Sequence, residues 1–178
     1  MQTLLNAAQI DATLESLAQR LLDDPSLKSV PAHDIVLVGI RSRGELIAQR
    51  LAALIQQTRN VTISAGALDI TMYRDDLSGR RAITIPQGTE LPFSLDDKFV
   101  ILADDVLETG RSVRAALDAL IDFGRPRVIR LLTLIDRGRR EFPIAADYVG
   151  LPVDAVGPGR KVIVHLRPTD PEDGVYVD

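Results

Sequence analysis

The chain has 178 residues, of which 46% are hydrophobic and 26% charged, so it fits one globular domain with a sizeable core and excludes a disordered chain. The absence of cysteine excludes disulfides and thiolate chemistry, and the two distant histidines, His33 and His165, argue against a histidine triad or a zinc site. The net charge of −4 argues against nonspecific nucleic-acid binding, and the lack of a secretory signal or a membrane-length apolar stretch predicts a cytoplasmic protein.

Apolar periodicity predicts two helices and two strands in the first 70 residues. Residues 7–24 carry apolar side chains at helical spacing, and Pro25 ends this helix. DIVLVG at 34–39 is a short β-branched run typical of a buried strand. A second helix is predicted over 45–57 and a second strand over 61–70.

The second half repeats the alternation after a long polar connection. A strand is predicted over 98–105, a helix over 113–121 that stops near Gly124, and a further strand over 127–136. Two more short strands are predicted near ADYVG and KVIVHL, and an acidic tail, RPTDPEDGVYVD, follows.

The connection over 71–97 is polar and rich in proline and glycine, with one short β-like piece at 82–85. Connections of this length are uncommon in compact domains and often act as functional lids, so we expect residues 73–89 to be mobile without ligand. A plain hairpin insertion is the alternative.

The order of elements predicts a parallel sheet covered by helices on both faces, that is, an α/β fold. In such sheets, ligands bind beyond the carboxyl ends of the strands. The turns at 40–44, 104–112 and 136–141 should therefore lie around one pocket.

The segment at 104–112, DDVLETGRS, carries the strongest chemical signal. Asp104 and Asp105 follow an apolar run, and burial of adjacent carboxylates without partners is costly, so we expect them at an open strand end. There they could accept hydrogen bonds from ribose hydroxyls or help to hold magnesium. TGRS then opens a helix whose first N–H groups can bind a phosphate. The alternative is an ordinary loop in which Thr109 or Ser112 caps the helix.

Positive charge is concentrated between 111 and 140, where eight arginines accompany three aspartates. The simpler interpretation is a solvated face. The functional interpretation is a local site for a phosphorylated ligand or RNA.

Four segments resemble parts of one known family. VILADDVLETGRS (100–112) is similar to the ribose-phosphate loop of type I phosphoribosyltransferases, which use phosphoribosyl pyrophosphate (PRPP). LVGIRSRGELIAQRL (37–51) is similar to their pyrophosphate loop, and LDITMYRDDL (68–77) to the start of a flexible hood loop. With LIDRGRREFPIAADYVG (134–150), which is similar to a uracil-side segment, the four together resemble the PyrR family, whose members combine attenuation of pyrimidine operons with uracil phosphoribosyltransferase activity. The resemblance implies a single phosphoribosyltransferase domain of the type I fold over the whole chain.

The resemblance also implies roles around PRPP. Asp104 and Asp105 would bind the ribose hydroxyls, and Arg74, on the hood, would lie over the leaving pyrophosphate; these three would be catalytic. Ser42 and Arg43 would contact pyrophosphate across a strained or cis peptide. The other PRPP-binding positions are consecutive, and the last four would hold the 5′-phosphate: Val106, Leu107, Glu108, Thr109, Gly110, Arg111 and Ser112.

The remaining implied roles concern the base, the metal and the partners. Arg137 and the backbone near Val162 would border the base. Magnesium would bind through PRPP, with Asp104 and Asp105 as possible protein ligands. The resemblance implies uracil and UMP as further ligands, and a homodimer or a tetramer of dimers. No membrane contact is expected, because the apolar stretches are short.

Two departures from the family pattern concern substrate and RNA. PyrR proteins usually carry an aromatic or bulky residue where this chain has Glu108, and purine enzymes of the hypoxanthine-guanine type carry an acidic one. We expect the Glu108 side chain to face solvent. The first helix has four acids and one arginine, and Leu151 replaces a family lysine, so leader-mRNA binding would depend on Arg139, Arg140 and Arg160.

Three functions therefore stay open. The favoured one is a uracil phosphoribosyltransferase that forms UMP and pyrophosphate and can also regulate pyrimidine genes through RNA. The alternatives are a purine phosphoribosyltransferase, which Glu108 would suit, and a non-catalytic, nucleotide-sensing RNA-binding regulator.

Overall fold

The computed structural model describes residues 1–75, 87–153, 156, 157 and 159–178. Its strands are β1 (Gln2–Asn6), β2 (Ile35–Ile40), β3 (Ser64–Leu68), β4 (Phe99–Leu107), β5 (Val128–Asp136), β6 (Tyr148–Pro152), β7 (Val162–His165) and β8 (Gly174–Val177). Its α-helices are α1 (Ala7–Asp23), α2 (Pro25–Lys28), α3 (Arg43–Arg59) and α4 (Arg111–Phe123), and short 3-10 turns cover Ala32–Asp34 and Thr71–Tyr73. No helix in these ranges is both long and apolar enough to span a membrane.

Within the described ranges, the central sheet has five parallel strands in the order β3-β2-β4-β5-β6. Buried side chains of α1 and α3 pack on one face, and those of α4 pack on the other. All six residues of β2 are buried, as expected for a strand covered on both sides. The predicted α/β architecture is confirmed.

A second, antiparallel sheet joins the two ends of the chain in the order β1-β8-β7. The predicted elements include neither β1 nor β8, and the last residues were predicted only as an acidic tail. Each strand is only five or four residues long, and each is completed by a partner from the opposite end of the chain. Val175 and Val177 of β8 are nevertheless buried in this small sheet.

Two ion pairs fasten the segment before β8 to α3. Arg43 donates to both carboxylate oxygens of Asp170 at 3.0 and 2.8 Å, and Arg50 does the same to Asp173 at 2.6 and 2.9 Å. The same aspartates accept hydrogen bonds from the backbone N–H groups of Leu166 and Arg167. Each carboxylate therefore stabilises its own turn and also binds it to the helix.

The structure moves one predicted boundary in the strand that carries the acidic pair. β4 continues to Leu107, so Asp104 and Asp105 lie inside the paired strand, and Asp104 stands opposite Thr133 of β5. The prediction that the acidic pair marks the strand end is therefore wrong by two residues, because β5 extends equally far and provides hydrogen-bond partners.

The predicted mobile hood and its β-like piece at 82–85 lie largely or wholly within 76–86, outside the described residues. The flanks of this connection are described, and Asp69 ties them together. Its carboxylate accepts hydrogen bonds from the N–H groups of Thr71, Gln87 and Gly88 at 2.9, 2.5 and 2.8 Å. The connection therefore leaves and rejoins the domain at one point.

Candidate active site

The carboxyl end of β4 opens into a pocket of about 510 Å³, a volume suited to a small ligand. It is lined by Arg74, Asp104, Asp105, Val106, Leu107, Glu108, Thr109, Gly110, Arg111, Ser112, Val113, Glu141 and Val162. The structure thus brings together the acidic pair, the start of α4, one arginine from the hood flank and the start of β7.

Asp104 and Asp105 form the floor of this pocket. Asp104 is only 6% exposed, and Asp105 is half-buried. Burial, followed by the charge of Asp105, raises the pKa of Asp104 well above its usual value. Burial also raises the pKa of Asp105, although a hydrogen bond with Asp104 and the charge of Arg43 oppose the shift. Neighbouring carboxylates at such a position would be stabilised by a ligand that offers hydroxyl donors or positive charge.

The predicted phosphate loop, residues 109–112, joins β4 to α4. Gly110 is the N-cap of α4 and has a left-handed backbone with φ of 89°, and no side chain caps the helix at this residue. Neither Thr109 nor Ser112 is the N-cap residue of this helix, so the alternative of an ordinary capped loop does not hold. Thr109 Oγ1 does accept a long hydrogen bond of 3.2 Å from the Arg111 N–H. The first turn of α4, a helix of 13 residues, lines the pocket, and the free N–H groups of such a turn favour an anion.

The loop at 40–44 lies beside the acidic pair because two glycines allow the backbones to touch. A Cβ on Gly39 would lie 2.2 Å from the carbonyl oxygen of Gly44, and one on Gly44 would lie 2.4 Å from that of Ala103. The peptide bond between Arg41 and Ser42 is cis. The side chain of Arg43 is paired with Asp170, and its charge acts on Asp105.

The hood flank reaches the phosphate loop through Arg74. Its Nη1 donates to Ser112 Oγ at 3.3 Å, and its charge lowers the pKa of Asp104 against the larger effect of burial. Tyr73, next to it, donates from its hydroxyl to the carboxylate of Asp122 on α4 at 2.5 Å. Arg74 is therefore positioned between the acidic pair and the start of α4.

The position of Glu108 differs from the expectation. Its carboxylate does not simply face solvent: Oε1 lies 2.7 Å from Nη1 of Arg137, whose side chain is 3% exposed. Glu108 and Val162 line the pocket, and Arg137 reaches it through Glu108. Nothing in the local sequence around Glu108 indicates that the buried guanidinium of Arg137 lies within reach of its carboxylate.

The arginines assigned to RNA are partly engaged within the chain. Arg140 pairs with Asp136 at 2.6 Å and donates to the carbonyl oxygens of Glu108 and Ile144 at 2.9 and 2.7 Å. Arg139 donates to the carbonyl of Val156, and Arg160 to that of Asp178. Arg140 therefore fixes the turn after β5 against Glu108, the residue directly after β4.

Two residues that line the pocket, Val113 and Glu141, are not among the predicted site residues. The carboxylate of Glu141 lies 2.7 Å from Arg111, whose guanidinium also stacks over the ring of Phe142 with its central carbon 5.2 Å from the ring centre. The turn at 136–141 was predicted to lie beside the pocket, so its position indicated a role for Glu141 there. The sequence did not indicate that Glu141 pairs with Arg111.

Comparisons with known proteins agree with this architecture. The family model described as "Phosphoribosyl transferase domain" matches residues 2–161. The chain is 44% identical to the bifunctional protein PyrR of Mycobacterium ulcerans, covering 98% of this chain and 92% of that protein. It is 52% identical to PyrR of Chloroflexus aurantiacus, covering 82% of this chain and 79% of that protein. A solved hypoxanthine phosphoribosyltransferase of Trypanosoma cruzi superposes with a TM-score of 0.74 at 19% identity, covering 99% and 95% of the two chains. At this identity the superposition confirms the type I phosphoribosyltransferase fold.

Proposed function

Because the chain belongs to the PyrR family of phosphoribosyltransferases, we propose that it transfers the phosphoribosyl group of PRPP to uracil and forms UMP and pyrophosphate. One observation carries the proposal. A single pocket holds two adjacent carboxylates, one buried and one half-buried, together with the N-terminus of α4 and Arg74. Together these groups suit the hydroxyl, phosphate and pyrophosphate groups of PRPP.

In the proposed reaction, a ring nitrogen of uracil attacks the anomeric carbon of PRPP. The new bond from nitrogen to carbon forms as the bond from that carbon to the pyrophosphate oxygen breaks, and the proton of the nitrogen passes to the departing pyrophosphate. Asp104 and Asp105 would hold the ribose hydroxyls and stabilise positive charge that develops on the sugar. The protein would thus contribute position and electrostatics rather than a covalent nucleophile.

The phosphates would be divided between two loops. The first-turn N–H groups of α4 would bind the 5′-phosphate, and the 40–44 loop would lie near the pyrophosphate. Arg74, beside Ser112, would add positive charge where pyrophosphate leaves. Arg43 is already bidentate to Asp170, so its contribution there would be mainly its charge and its backbone.

Magnesium fits this site as a partner of PRPP. No cluster of three or more acidic, histidine or cysteine side chains that could hold a metal alone occurs in the described part of the chain. Magnesium is commonly bound by one or two carboxylates together with phosphate oxygens, and Asp104 and Asp105 could provide the protein share. When bound, the ion would neutralise charge on the leaving pyrophosphate.

A purine phosphoribosyltransferase is the second candidate, and the position of Glu108 favours it. Its carboxylate lines the pocket and could accept hydrogen bonds from ring N–H groups of guanine or hypoxanthine. The same carboxylate is paired with Arg137, and the relatives at 44 to 52% identity are PyrR proteins, so uracil remains the first choice.

A panel of bases tests the assignment. Purified protein with PRPP and magnesium is assayed for nucleotide formation with uracil, hypoxanthine and guanine. UMP formation alone supports the proposal, whereas purine nucleotide formation alone replaces it with the second candidate. If no nucleotide forms and UMP still binds, the chain is a nucleotide-sensing regulator, and the enzymatic proposal is wrong.

The regulatory half of the proposal is a UMP-dependent interaction with the leader mRNA of pyrimidine genes. The relatives are named bifunctional, which supports a second role besides catalysis. The acidic first helix and the engaged Arg140 argue that this interaction is weak in this chain.

A further inference from the structure

We infer that the ion pair of Glu108 and Arg137 is a charge filter for the base, which admits neutral bases and disfavours bases that carry a carboxylate. The inference rests on the proposed function for the position of the base in the pocket. It makes Glu108 a specificity-determining residue and Arg137 the residue that positions it.

Arg137 is fixed in place by its surroundings. Its side chain is 3% exposed, and its Nη2 donates to the carbonyl oxygen of Arg160 at 2.8 Å. Its backbone N–H donates to the carbonyl oxygen of Leu107 at 2.9 Å. A buried guanidinium needs a counter-charge, and Glu108 provides it at 2.7 Å.

The backbone of Glu108 is also fixed in place. Its carbonyl oxygen accepts a hydrogen bond of 2.9 Å from Nη1 of Arg140, which itself pairs with Asp136. The Glu108 side chain is 36% exposed and lines the pocket, whereas its partner is buried behind it. The ligand therefore meets a carboxylate surface, and the compensating positive charge lies in the interior.

This arrangement predicts discrimination by charge. A neutral uracil ring is not repelled by the Glu108 carboxylate, and a ring N–H of uracil can donate a hydrogen bond to that carboxylate. A carboxylated pyrimidine brings a second negative charge into a site that is partly shielded from solvent, where like charges repel more strongly than in water. Replacing Glu108 by glutamine removes the repelling charge and leaves the charge of Arg137 uncompensated, so the preference should shift toward the carboxylated ligand.

Equilibrium binding of nucleotides tests the filter without requiring turnover. UMP and its 5- and 6-carboxylated derivatives share the ribose and phosphate, so the ratio of their Kd values isolates the effect of the carboxylate. Isothermal titration calorimetry gives this ratio for the native protein and for Glu108→Gln. In the variant, we expect the Kd of the carboxylated nucleotide divided by the Kd of UMP to fall at least tenfold for one or both derivatives. An unchanged ratio for both overturns the inference.

Glu141→Gln is the matched control. Glu141 also lines the pocket, and it loses the same charge on substitution, but its partner is Arg111 of the phosphate loop. The substitution should change the Kd values of UMP and of the carboxylated derivatives by a similar factor. If it lowers their ratio as much as Glu108→Gln does, the discrimination comes from the general charge of the pocket, and the specific role of Glu108 is refuted.

A double variant covers the case in which Glu108→Gln fails to fold because Arg137 loses its counter-charge. Glu108→Gln with Arg137→Gln removes both charges, and it should still lower the ratio because the repelling carboxylate is gone. An unchanged ratio in the folded double variant overturns the inference.

The proposed function is tested separately by uracil turnover in the native protein. A shifted ratio without uracil turnover leaves the filter standing and refutes the enzymatic assignment. Normal uracil turnover with an unshifted ratio refutes the filter alone.

Discussion

Gly44, in the first turn of α3, touches the backbone of β4 at Ala103, so that a Cβ on Gly44 would lie 2.4 Å from the Ala103 carbonyl oxygen. The same Cβ would lie 3.3 Å from the Cα of Asp104. This close approach sets the distance between the 40–44 loop and the acidic pair. A side chain at position 44 would therefore push this loop and the acidic pair apart.

Gly44→Ala should lower both stability and activity. The added carbon meets backbone, which cannot rotate away, and overpacking of this kind typically costs about 1–3 kcal/mol. The resulting shift of α3 should lower kcat/KM for PRPP more than tenfold. Urea unfolding and steady-state kinetics measure the two effects. Gly157→Ala is the control, since a Cβ there would meet nothing within 4 Å; equal effects of the two substitutions would contradict the explanation.

Asp104→Asn with Asp105→Asn should abolish transfer and leave the fold intact. Loss of two charge-assisted hydrogen bonds to ribose, at about 1.5–3 kcal/mol each, corresponds to a roughly 10²- to 10⁴-fold lower kcat/KM. Turnover near that of the native protein, with unfolding measured in parallel, would refute the assignment of these carboxylates to ribose.

Asp104→Asn alone should stabilise the protein at neutral pH. Burial raises the pKa of Asp104 in the folded state, so its ionised form is destabilising above that folded pKa. The difference in unfolding free energy between the variant and the native protein should shrink as pH falls, and it should vanish below the unfolded pKa, near 4. Thermal unfolding of both proteins between pH 4 and 8 measures it, and a lower Tm of the variant at pH 7 would contradict the prediction.

Asp173→Asn should destabilise the attachment of the segment before β8 by about 1–3 kcal/mol. The hydrogen bond from Arg50 lowers the pKa of Asp173 against the effect of burial, so this stabilisation is present above the unfolded pKa. It should be lost as pH falls through the lower folded pKa. Urea unfolding at pH 7 and at acid pH measures both points.

Asp118→Asn is the control for Asp173→Asn, because Asp118 also pairs with an arginine, Arg114, at 2.8 Å. Its side chain is 53% exposed, so the substitution should change stability by less than about 1 kcal/mol. If the two substitutions cost the same, burial does not determine the strength of these pairs.

Binding of the pyrimidine-operon leader hairpin should be weak or absent at physiological salt. Asp11 and Glu15 are exposed on α1, and Arg20, the only arginine of that helix, donates to the carbonyl of Val149. Reversing the two acidic charges with lysine should tighten binding and steepen its salt dependence. Filter binding with UMP present measures both. Nanomolar, sequence-specific binding by the native protein would show that arginines such as Arg139 and Arg160 suffice.

Local sequence determined most elements of this protein and the chemistry of its pocket. The apolar periodicity of α1, α3 and α4 and the buried runs of β2, β4 and β5 are visible without a structure, because each pattern reflects the burial of a single element. The acidic pair and the phosphate loop were also readable, since they lie on one continuous strand, loop and helix between 104 and 112.

Only the tertiary structure decided which distant residues meet. Glu108 pairs with Arg137 across 29 positions, and Arg43 with Asp170 across 127. With 21 basic and 25 acidic side chains, the sequence permits many pairings of equal chemistry, and packing of the elements selects among them. The same holds for β1 and β8, whose strands form because folding brings the two ends of the chain together.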